Sequence, residues 1–300
     1  GLVATPGRAM FSGALTATNF VALETNNGGT GTAGVVATAL RLETGTKLWQ
    51  FGQTYPATAN VPATGVPGGA VAVDRAGNGF VTDLVMGDLY GRLWRLDVKT
   101  GTNVFGTNPM FQFSTLRHPI GAVPAIYRNN DVLYAAFASG GYADATGTSW
   151  NNTTTQYAIA VKLAPSATPV DETTTACQRT CNLQVKQSLA SSYGFAQATV
   201  VGTTLHLVSD SSDVNASTFG TGRTSTGKLT SIDLATGSAT TVAIYSGVGA
   251  LAAIPGATSA TLYSAGNDKQ QQIGTASAIA GPAVDHTAAK LGRKLWLRTE

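Results

Sequence analysis

The residues best suited to chemistry lie in a short acidic loop that begins at Asp74. If Asp74 is position one of an EF-hand-like calcium loop, Gly79 falls at position six, where such loops need glycine for their sharp bend. Oxygen ligands occur at alternate positions of these loops. The candidate calcium ligands are Asp74, Asn78, the carbonyl of Phe80, Thr82 and Asp83.

The same loop departs from a good calcium site at two positions. Position three is Ala76, which has no side-chain oxygen, and the second carboxylate, Asp83, stands one residue beyond position nine. Because calcium takes about six to eight oxygens, these departures predict weak calcium binding or none. The alternative is a metal-free turn in which Asp74 and Asn78 hold the backbone by side-chain hydrogen bonds.

The two cysteines, Cys177 and Cys181, stand close together in a Thr-rich hydrophilic stretch. This pattern favours a local disulfide that closes a small loop. A redox pair and half of a zinc site are the alternatives, although the first normally has a shorter spacing and the second needs further cysteine or histidine nearby. A disulfide here implies an oxidising compartment such as the periplasm, the cell surface or the medium.

The sequence offers no strong catalytic pattern. The three histidines, His118, His206 and His286, lie far apart along the chain, and no nucleophile elbow, P-loop or His-Glu-x-x-His motif occurs. His206 stands between two leucines on an apolar strand, which is typical of an ordinary packed or surface histidine. We therefore expect no catalytic residue and no enzyme activity.

The composition predicts a mostly β protein. Of 300 residues, 43% are hydrophobic and only 12% are charged, while 35 are glycine and 43 are threonine. Such a chain favours strands and turns over long surface helices. No apolar run of about 18 residues occurs, so we predict no transmembrane helix. The net charge of +3 forms no basic stripe, so we expect no nucleic-acid partner.

A hairpin pattern recurs along the chain, with a strand of alternating apolar residues, then Thr-Gly, then a second strand. Three copies have the glycine that a turn with positive φ needs, at Gly45, Gly101 and Gly237. A fourth copy, Tyr157–Leu163, lacks the glycine, and a fifth, Leu291–Trp296, ends the chain. Recurrence at about 55 to 70 residues predicts a β-propeller of four-stranded blades. A pair of β-sandwiches, the alternative, does not explain why the hairpin recurs.

Short apolar segments between the hairpins predict further strands. These are Gly34–Leu40, Gly69–Val73, Leu84–Met86, Asp131–Phe137, Ala198–Val201, Thr204–Val208 and Ala260–Ser264. The long polar loops Gly140–Thr155 and Asp210–Thr226 are predicted insertions on one face. Three tryptophans fall at corresponding positions of the repeat: Trp49, Trp94 and Trp296. We therefore predict that they pack between blades. We expect residues 1–300 to form one propeller domain with five blade units, cut from a longer chain.

The segment Gly68–Asp97 carries a specific motif, an acidic glycine-rich loop and a strand followed by Gly87-Asp-Leu-Tyr-Gly-Arg-Leu-Trp-Arg-Leu-Asp97. This segment resembles the C-terminal propeller of the PilY-type tip adhesins of type IV pili. Further similar segments follow in the order of that family: Phe111–Thr115, His118–Ala125, Ser139–Tyr142 and the closing Gly292–Glu300. The resemblance covers most of the chain from about Thr38 onward.

The resemblance implies a quinoprotein-like β-propeller that supports pilus assembly, surface attachment and twitching motility. The implied partners are minor pilins at the pilus tip and a host or abiotic surface. The implied location is the bacterial cell surface, reached by export through the periplasm. The family also implies calcium in the Asp74 loop, but its ligands at positions three and nine are not matched here.

Two other classes of protein have the same repeat pattern and are alternatives. One is a propeller scaffold of the outer-membrane assembly type. The other is a quinone-dependent dehydrogenase, whose family has a similar Asp-x-x-Thr-Gly-x-x-x-Trp hairpin. Resemblance to those enzymes would imply an adjacent-cysteine disulfide and a calcium ion held by carboxylates beside the quinone. This chain has neither adjacent cysteines nor such an acidic cluster, so we expect no quinone cofactor.

Overall fold

The computed structural model describes most of the chain as strands and connecting loops. The described residues are 2–11, 14–25, 34–41, 44–54, 66, 68–77, 79–115, 118–129, 131–140, 155–163, 170–176, 182–190, 192–194, 196–210, 227–244, 248–255, 260–266, 269–275 and 284–286. Within these ranges the named elements are all β-strands. The same ranges contain no helix with the length and hydrophobicity that a membrane crossing requires.

The strands form antiparallel sheets that follow one another along the chain. The first sheet contains β1 (Leu2–Phe11), β2 (Ala14–Thr25), β3 (Gly34–Arg41) and β4 (Lys47–Thr54). The second contains β5 (Ala70–Val73), β6 (Asp83–Gly87), β7 (Arg92–Asp97) and β8 (Phe111–Gln112). The third contains β9 (Ala125–Asn129), β10 (Val132–Ala138), β11 (Gln156–Lys162) and β12 (Leu183–Leu189).

Two further sheets continue this order. The fourth contains β13 (Tyr193–Gly194) and β14 (Thr199–Val201), which both pair with β15 (Thr204–Asp210), followed by β16 (Gly227–Asp233) and β17 (Ala239–Ile244). The fifth contains β18 (Val248–Pro255), β19 (Ala260–Gly266), β20 (Lys269–Thr275) and β21 (Val284–His286). The first strands of successive sheets begin 55 to 68 residues apart, in agreement with the predicted repeat length.

The predicted hairpin follows the third strand of a sheet and has the same backbone geometry in three of them. The glycines at the turn have positive φ, 68° at Gly45, 71° at Gly101 and 74° at Gly237. The amide of Gly101 donates to the carbonyl of Asp97 at 2.8 Å, and that of Gly237 donates to the carbonyl of Asp233 at 2.7 Å. Each aspartate also accepts two backbone N–H groups through Oδ1, which closes the turn.

The sheets pack face to face in chain order, because each strand sends alternate side chains to opposite faces. On β6, Leu84 and Met86 pack against the first sheet, whereas Val85 packs against the third. On β15, Leu207 packs against the third sheet and Val208 against the fifth. This serial packing of antiparallel sheets, of which the fourth has one additional short strand, is the blade arrangement that the sequence predicts.

The loops leave the sheets at two opposite ends, since antiparallel strands reverse direction at each connection. We call one of them the hairpin end; it carries the β5–β6 loop and the turns at Gly101 and Gly237. The other, which we call the insertion end, carries the connections between second and third strands. Gly140–Thr155 joins β10 to β11 and Asp210–Thr226 joins β15 to β16, so both long loops start from the insertion end, as predicted.

One detail of the predicted repeat is wrong, and another falls on residues that the structure does not describe. Trp49 is on the fourth strand of its sheet and Trp94 is on the third strand of the next, so their predicted equivalence is wrong. The fifth sheet is built from β18–β21, upstream of the segment Leu291–Trp296 that was predicted to supply it. That segment lies outside the described residues.

Candidate functional site

The predicted calcium loop is the connection between β5 and β6. Its first residue, Asp74, uses both carboxylate oxygens to hold the turn, because Oδ1 accepts the amide of Gly77 at 2.7 Å and Oδ2 accepts that of Gly79 at 2.6 Å. Both glycines have positive φ, 68° and 85°. Asp74 thus has the turn-stabilising contacts of the metal-free alternative, while Asn78 lies outside the described residues.

The second predicted carboxylate, Asp83, is bound by two arginines. It is only 2% exposed at the start of β6. Its Oδ1 accepts Nε of Arg95 at 2.8 Å, and its Oδ2 accepts Nε of Arg75 at 2.7 Å. The hydroxyl of Thr82 donates to the same Oδ2 at 2.6 Å. These charge-assisted hydrogen bonds fix Asp83 between guanidinium groups.

The contacts of Asp83 do not fit a calcium ligand. An ion bound to Asp83 would lie beside two guanidinium groups, whose positive charge repels a divalent cation. Phe80 and Thr82 belong to the same half-buried loop. Without Asp83, Asp74 is the one carboxylate left in the predicted set of calcium ligands. In the described part of the chain, no three His, Cys, Asp or Glu side chains are grouped to hold a metal. Weak or absent calcium binding stays our prediction.

Arg95 also joins the second sheet to the third. Its side chain is 1% exposed, and Nη1 donates to the carbonyl of Leu163, directly after β11. A buried guanidinium is stable only where carboxylate and carbonyl oxygens compensate for its lost hydration. This role of Arg95 could not be predicted from the sequence, because an arginine in an alternating strand is indistinguishable from a solvent-facing one until the strands are paired.

The Gly87–Asp97 motif surrounds one buried carboxylate at the insertion end. Asp88 is 0% exposed. Its Oδ1 accepts the amides of Tyr90 and Arg92 at 2.9 and 3.0 Å, and its Oδ2 accepts Arg92 Nε and Trp94 Nε1, both at 2.9 Å. Burial raises the pKa of the Asp88 carboxyl, and the Arg92 guanidinium and these hydrogen bonds oppose that rise. Asp88, Arg92 and Trp94 of the motif therefore bind one another inside the fold.

The two glycines of this motif allow a second segment to approach closely. A Cβ at Gly87 would lie 2.3 Å from Cγ2 of Ile120, and one at Gly91 would lie 2.4 Å from the carbonyl oxygen of His118. The amide of Ile120 donates to the carbonyl of Asp88 at 3.0 Å. The motif and the segment that begins at His118, which both carry the family resemblance, thus pack as one unit.

Trp49 packs on the hairpin turn of the next sheet. Its Nε1 donates to the carbonyl of Val98 at 2.9 Å, and a Cβ at Gly101 would lie 2.4 Å from its Cε3. Trp94 is also between the first and second sheets, where its ring centroid is 5.5 Å from that of Phe51. The prediction that these two tryptophans serve blade packing is confirmed.

The histidines lie in different parts of the fold: His118 is in the connection between β8 and β9, and the other two are on strands of the fourth and fifth sheets. His118 is 4% exposed and contacts the ring of Phe113 at 4.5 Å between centroids, and burial lowers its pKa. His206 on β15 is 0% exposed, with Nδ1 2.8 Å from the hydroxyl of Ser231, and burial lowers its pKa to about 4. The packed-histidine interpretation of His206 is therefore correct. His286 ends β21 in the fifth sheet.

The predicted disulfide lies outside the described residues. Cys177 and Cys181 fall in residues 177–181, and their disulfide stays a prediction.

Comparison with known proteins establishes the fold. No protein-family model matches the sequence, and no curated protein matches it. Among solved structures, the chain is similar to the C-terminal domain of PilY1 from Pseudomonas aeruginosa, with a TM-score of 0.58 at 12% identity, over 87% of this chain and 70% of that one. It is also similar to BamB from Moraxella catarrhalis, with a TM-score of 0.43 at 14% identity, over 91% and 71% of the two chains.

The chain has a β-propeller fold, as predicted from its sequence. At 12% identity, the likeness to the PilY1 domain shows the fold alone. Function must be argued from particular segments and surfaces.

Proposed function

We propose that this chain is the propeller module of a PilY-type tip protein of a type IV pilus, with a role in pilus assembly and surface attachment. The observation that carries the proposal is the Gly87–Asp97 motif, which resembles that family and folds around Asp88. It packs against His118–Ala125, a second segment of the same resemblance. The fold likeness to the PilY1 C-terminal domain supports the proposal.

In this function the propeller is a rigid platform that presents loops. Continuous cores between successive sheets hold the scaffold, and recognition residues are usually carried on loops of such scaffolds. Gly140–Thr155 and Asp210–Thr226 start from the insertion end of adjacent sheets. We assign surface attachment to these two loops.

Docking onto minor pilins needs a different surface. β17 (Ala239–Ile244) is the outer strand of the fourth sheet in the described pairing, and most of its side chains are exposed. Such an edge can accept a further strand by main-chain hydrogen bonding. We assign pilin docking to sheet edges of this kind. The resulting location is the bacterial cell surface, after export through the periplasm.

The proposal assigns binding and assembly to the chain rather than catalysis. A quinone cofactor added to the purified protein should therefore give neither a new absorption band nor reduction of an electron-accepting dye.

The experiment is deletion of the protein in its native bacterium, followed by complementation. We expect the deletion strain to lose surface pili and attachment, and the unaltered gene to restore both. A variant in which residues 141–154 are replaced by a short Gly-Ser linker should restore pili but not attachment. The matched control, Lys99→Ala, alters an exposed turn at the hairpin end and should restore both.

Each arm can refute one part of the proposal. Normal piliation and attachment in the deletion strain would contradict the pilus function itself. Normal attachment by the loop-replaced variant would contradict the role given to the insertion end, without touching the assembly role.

A further inference from the structure

A cleft of about 350 Å³ opens at the hairpin end between the second and third sheets. Three loops or strand ends supply its polar wall: the β5–β6 loop with Arg75, the β9–β10 turn with Arg128 and Asp131, and the end of β11 with Lys162. We call this feature the basic cleft. It is separate from the Asp88 unit, which lies at the insertion end.

Arg128 is held across the basic cleft by backbone groups. Its Nη1 donates to the carbonyl of Asp131 at 3.2 Å, and its Nη2 donates to the carbonyl of Arg75 at 3.1 Å. Both acceptors are neutral carbonyls, and among the described residues no carboxylate lies within ion-pair distance of this exposed guanidinium. A guanidinium has five N–H donors, which leaves directions for a further acceptor.

The charges around the basic cleft are unbalanced. Arg75 is ion-paired with Asp83, which it shares with the buried Arg95. Within the described ranges, neither Arg128 nor Lys162 has an ion-pair partner.

The lining of the basic cleft itself holds three cations, Arg75, Arg128 and Lys162, and one carboxylate, Asp131. Like charges that converge in a cleft with low-dielectric walls create a positive potential that concentrates anions.

The last residue of the third strand differs between the sheets. In the second and fourth sheets it is Asp97 or Asp233, which closes the hairpin turn that follows. In the first and third sheets it is a cation, Arg41 or Lys162. The cation of the third sheet, Lys162, lines the basic cleft.

The remaining lining of the basic cleft is apolar. It is formed by Val132, Leu133 and the buried Leu163. A volume of about 350 Å³ is larger than a single carboxylate or phosphate group fills, and it is in the range of ligand-binding clefts. The occupant should therefore join a negative charge to an apolar group.

We propose that the basic cleft binds an acidic peptide segment of a partner protein, with an aspartate or glutamate carboxylate against Arg128 and Lys162 and a neighbouring apolar side chain against Val132 and Leu133. This inference does not rest on the pilus proposal. The charge complementarity selects an anion, and the apolar wall selects a peptide over a free inorganic ion.

The test is fluorescence anisotropy with a labelled peptide of alternating leucine and glutamate, added to the whole chain. We expect saturable binding that weakens in high salt, because exposed ion pairs are screened. The Arg128→Gln/Lys162→Gln variant should bind roughly two- to thirtyfold more weakly. The matched control, Arg41→Gln/Lys186→Gln, removes the same two charge types from exposed positions elsewhere and should bind normally.

Three further measurements separate the proposal from its competitors. A peptide of alternating leucine and glutamine should not bind, and equal binding of it would overturn the role of the carboxylate. Inorganic phosphate should compete only weakly; phosphate binding without peptide binding would identify a free-anion site and overturn the proposal. Unchanged peptide affinity in the Arg128→Gln/Lys162→Gln variant would also overturn the proposal. Lys162→Gln alone, which leaves the hydrogen bonds of Arg128 intact, keeps the test valid if the double variant unfolds.

Discussion

The buried carboxylate of Asp88 gives the sharpest stability prediction, through the substitution Asp88→Ala. The change removes the acceptor of four donors: two backbone amides, the Arg92 guanidinium and the Trp94 indole. Arg92 is 6% exposed and Trp94 is 1% exposed, so water cannot readily replace the lost oxygens. The variant would therefore keep a buried cation without its carboxylate.

The expected cost can be estimated from these contacts. Removing one partner of a buried ion pair costs about 3 to 5 kcal/mol, because the remaining charge stays desolvated. Domain stabilities are about 5 to 15 kcal/mol, so this loss is a large fraction of the total. Asp88→Asn keeps an oxygen acceptor of the same shape but loses the charge, and it should cost less than Asp88→Ala.

The assay is urea unfolding followed by tryptophan fluorescence, with the free energy of unfolding extrapolated to water. The control is Asp97→Ala, which removes a carboxylate that accepts two amides in an exposed turn. Because that turn is open to water, the control should cost about 1 kcal/mol. If Asp88→Ala costs no more than Asp97→Ala, the reasoning that the motif is organised by a buried carboxylate is refuted.

Four further predictions concern other described or predicted features. Gly101→Ala should cost about 1 to 3 kcal/mol more than Gly45→Ala in thermal unfolding, since both have positive φ but only Gly101 lies against an indole; equal costs would contradict the docking. The His206 imidazole binds a proton near pH 6.5 when unfolded and near pH 4 when folded, so stability should fall by up to about 3 kcal/mol as pH drops through that window. His206→Gln should lose this component of the pH dependence, and an unchanged pH profile would show that the imidazole is not responsible. Calorimetric titration should detect no micromolar calcium binding; micromolar binding abolished by Asp74→Ala would contradict the ligand count. Thiol titration of the unreduced, unfolded protein should find no free thiol at Cys177 and Cys181, whereas two reactive thiols would exclude the disulfide.

The strands with alternating apolar residues could be predicted from the sequence. Gly34–Leu40 and Thr204–Val208 lie within β3 and β15, and the turn glycines have the positive φ that their positions predict. These features depend on local patterns of side-chain type, which a single sequence displays directly.

Other strands could not be predicted from the sequence, because their extended conformation depends on the strands with which they pair. β20 (Lys269–Thr275) contains three consecutive glutamines, and half of the residues of β18 (Val248–Pro255) are alanine or glycine. Neither shows a clear period-two pattern. Both pair with β19, so their extended conformation is fixed by backbone hydrogen bonds to another segment rather than by their own side chains.

The candidate site could likewise be predicted only in part from the sequence. The sequence placed Asp74 and Asp83 in one loop but left open whether they bind a metal or the backbone. The structure separates them, because Asp83 meets Arg95 only after β6 pairs with β7. The basic cleft was missed for a related reason, since Arg75, Arg128 and Lys162 come from three distant stretches of the chain.

The central claim is that the chain acts at the tip of a type IV pilus, and immunogold electron microscopy of intact cells tests it most directly. Antibodies raised against the purified chain would be applied to piliated wild-type cells, with the deletion strain as the labelling control. The account predicts gold particles at the free ends of surface pili. Pili without gold at their ends, on cells whose label is confined to the envelope, would contradict it.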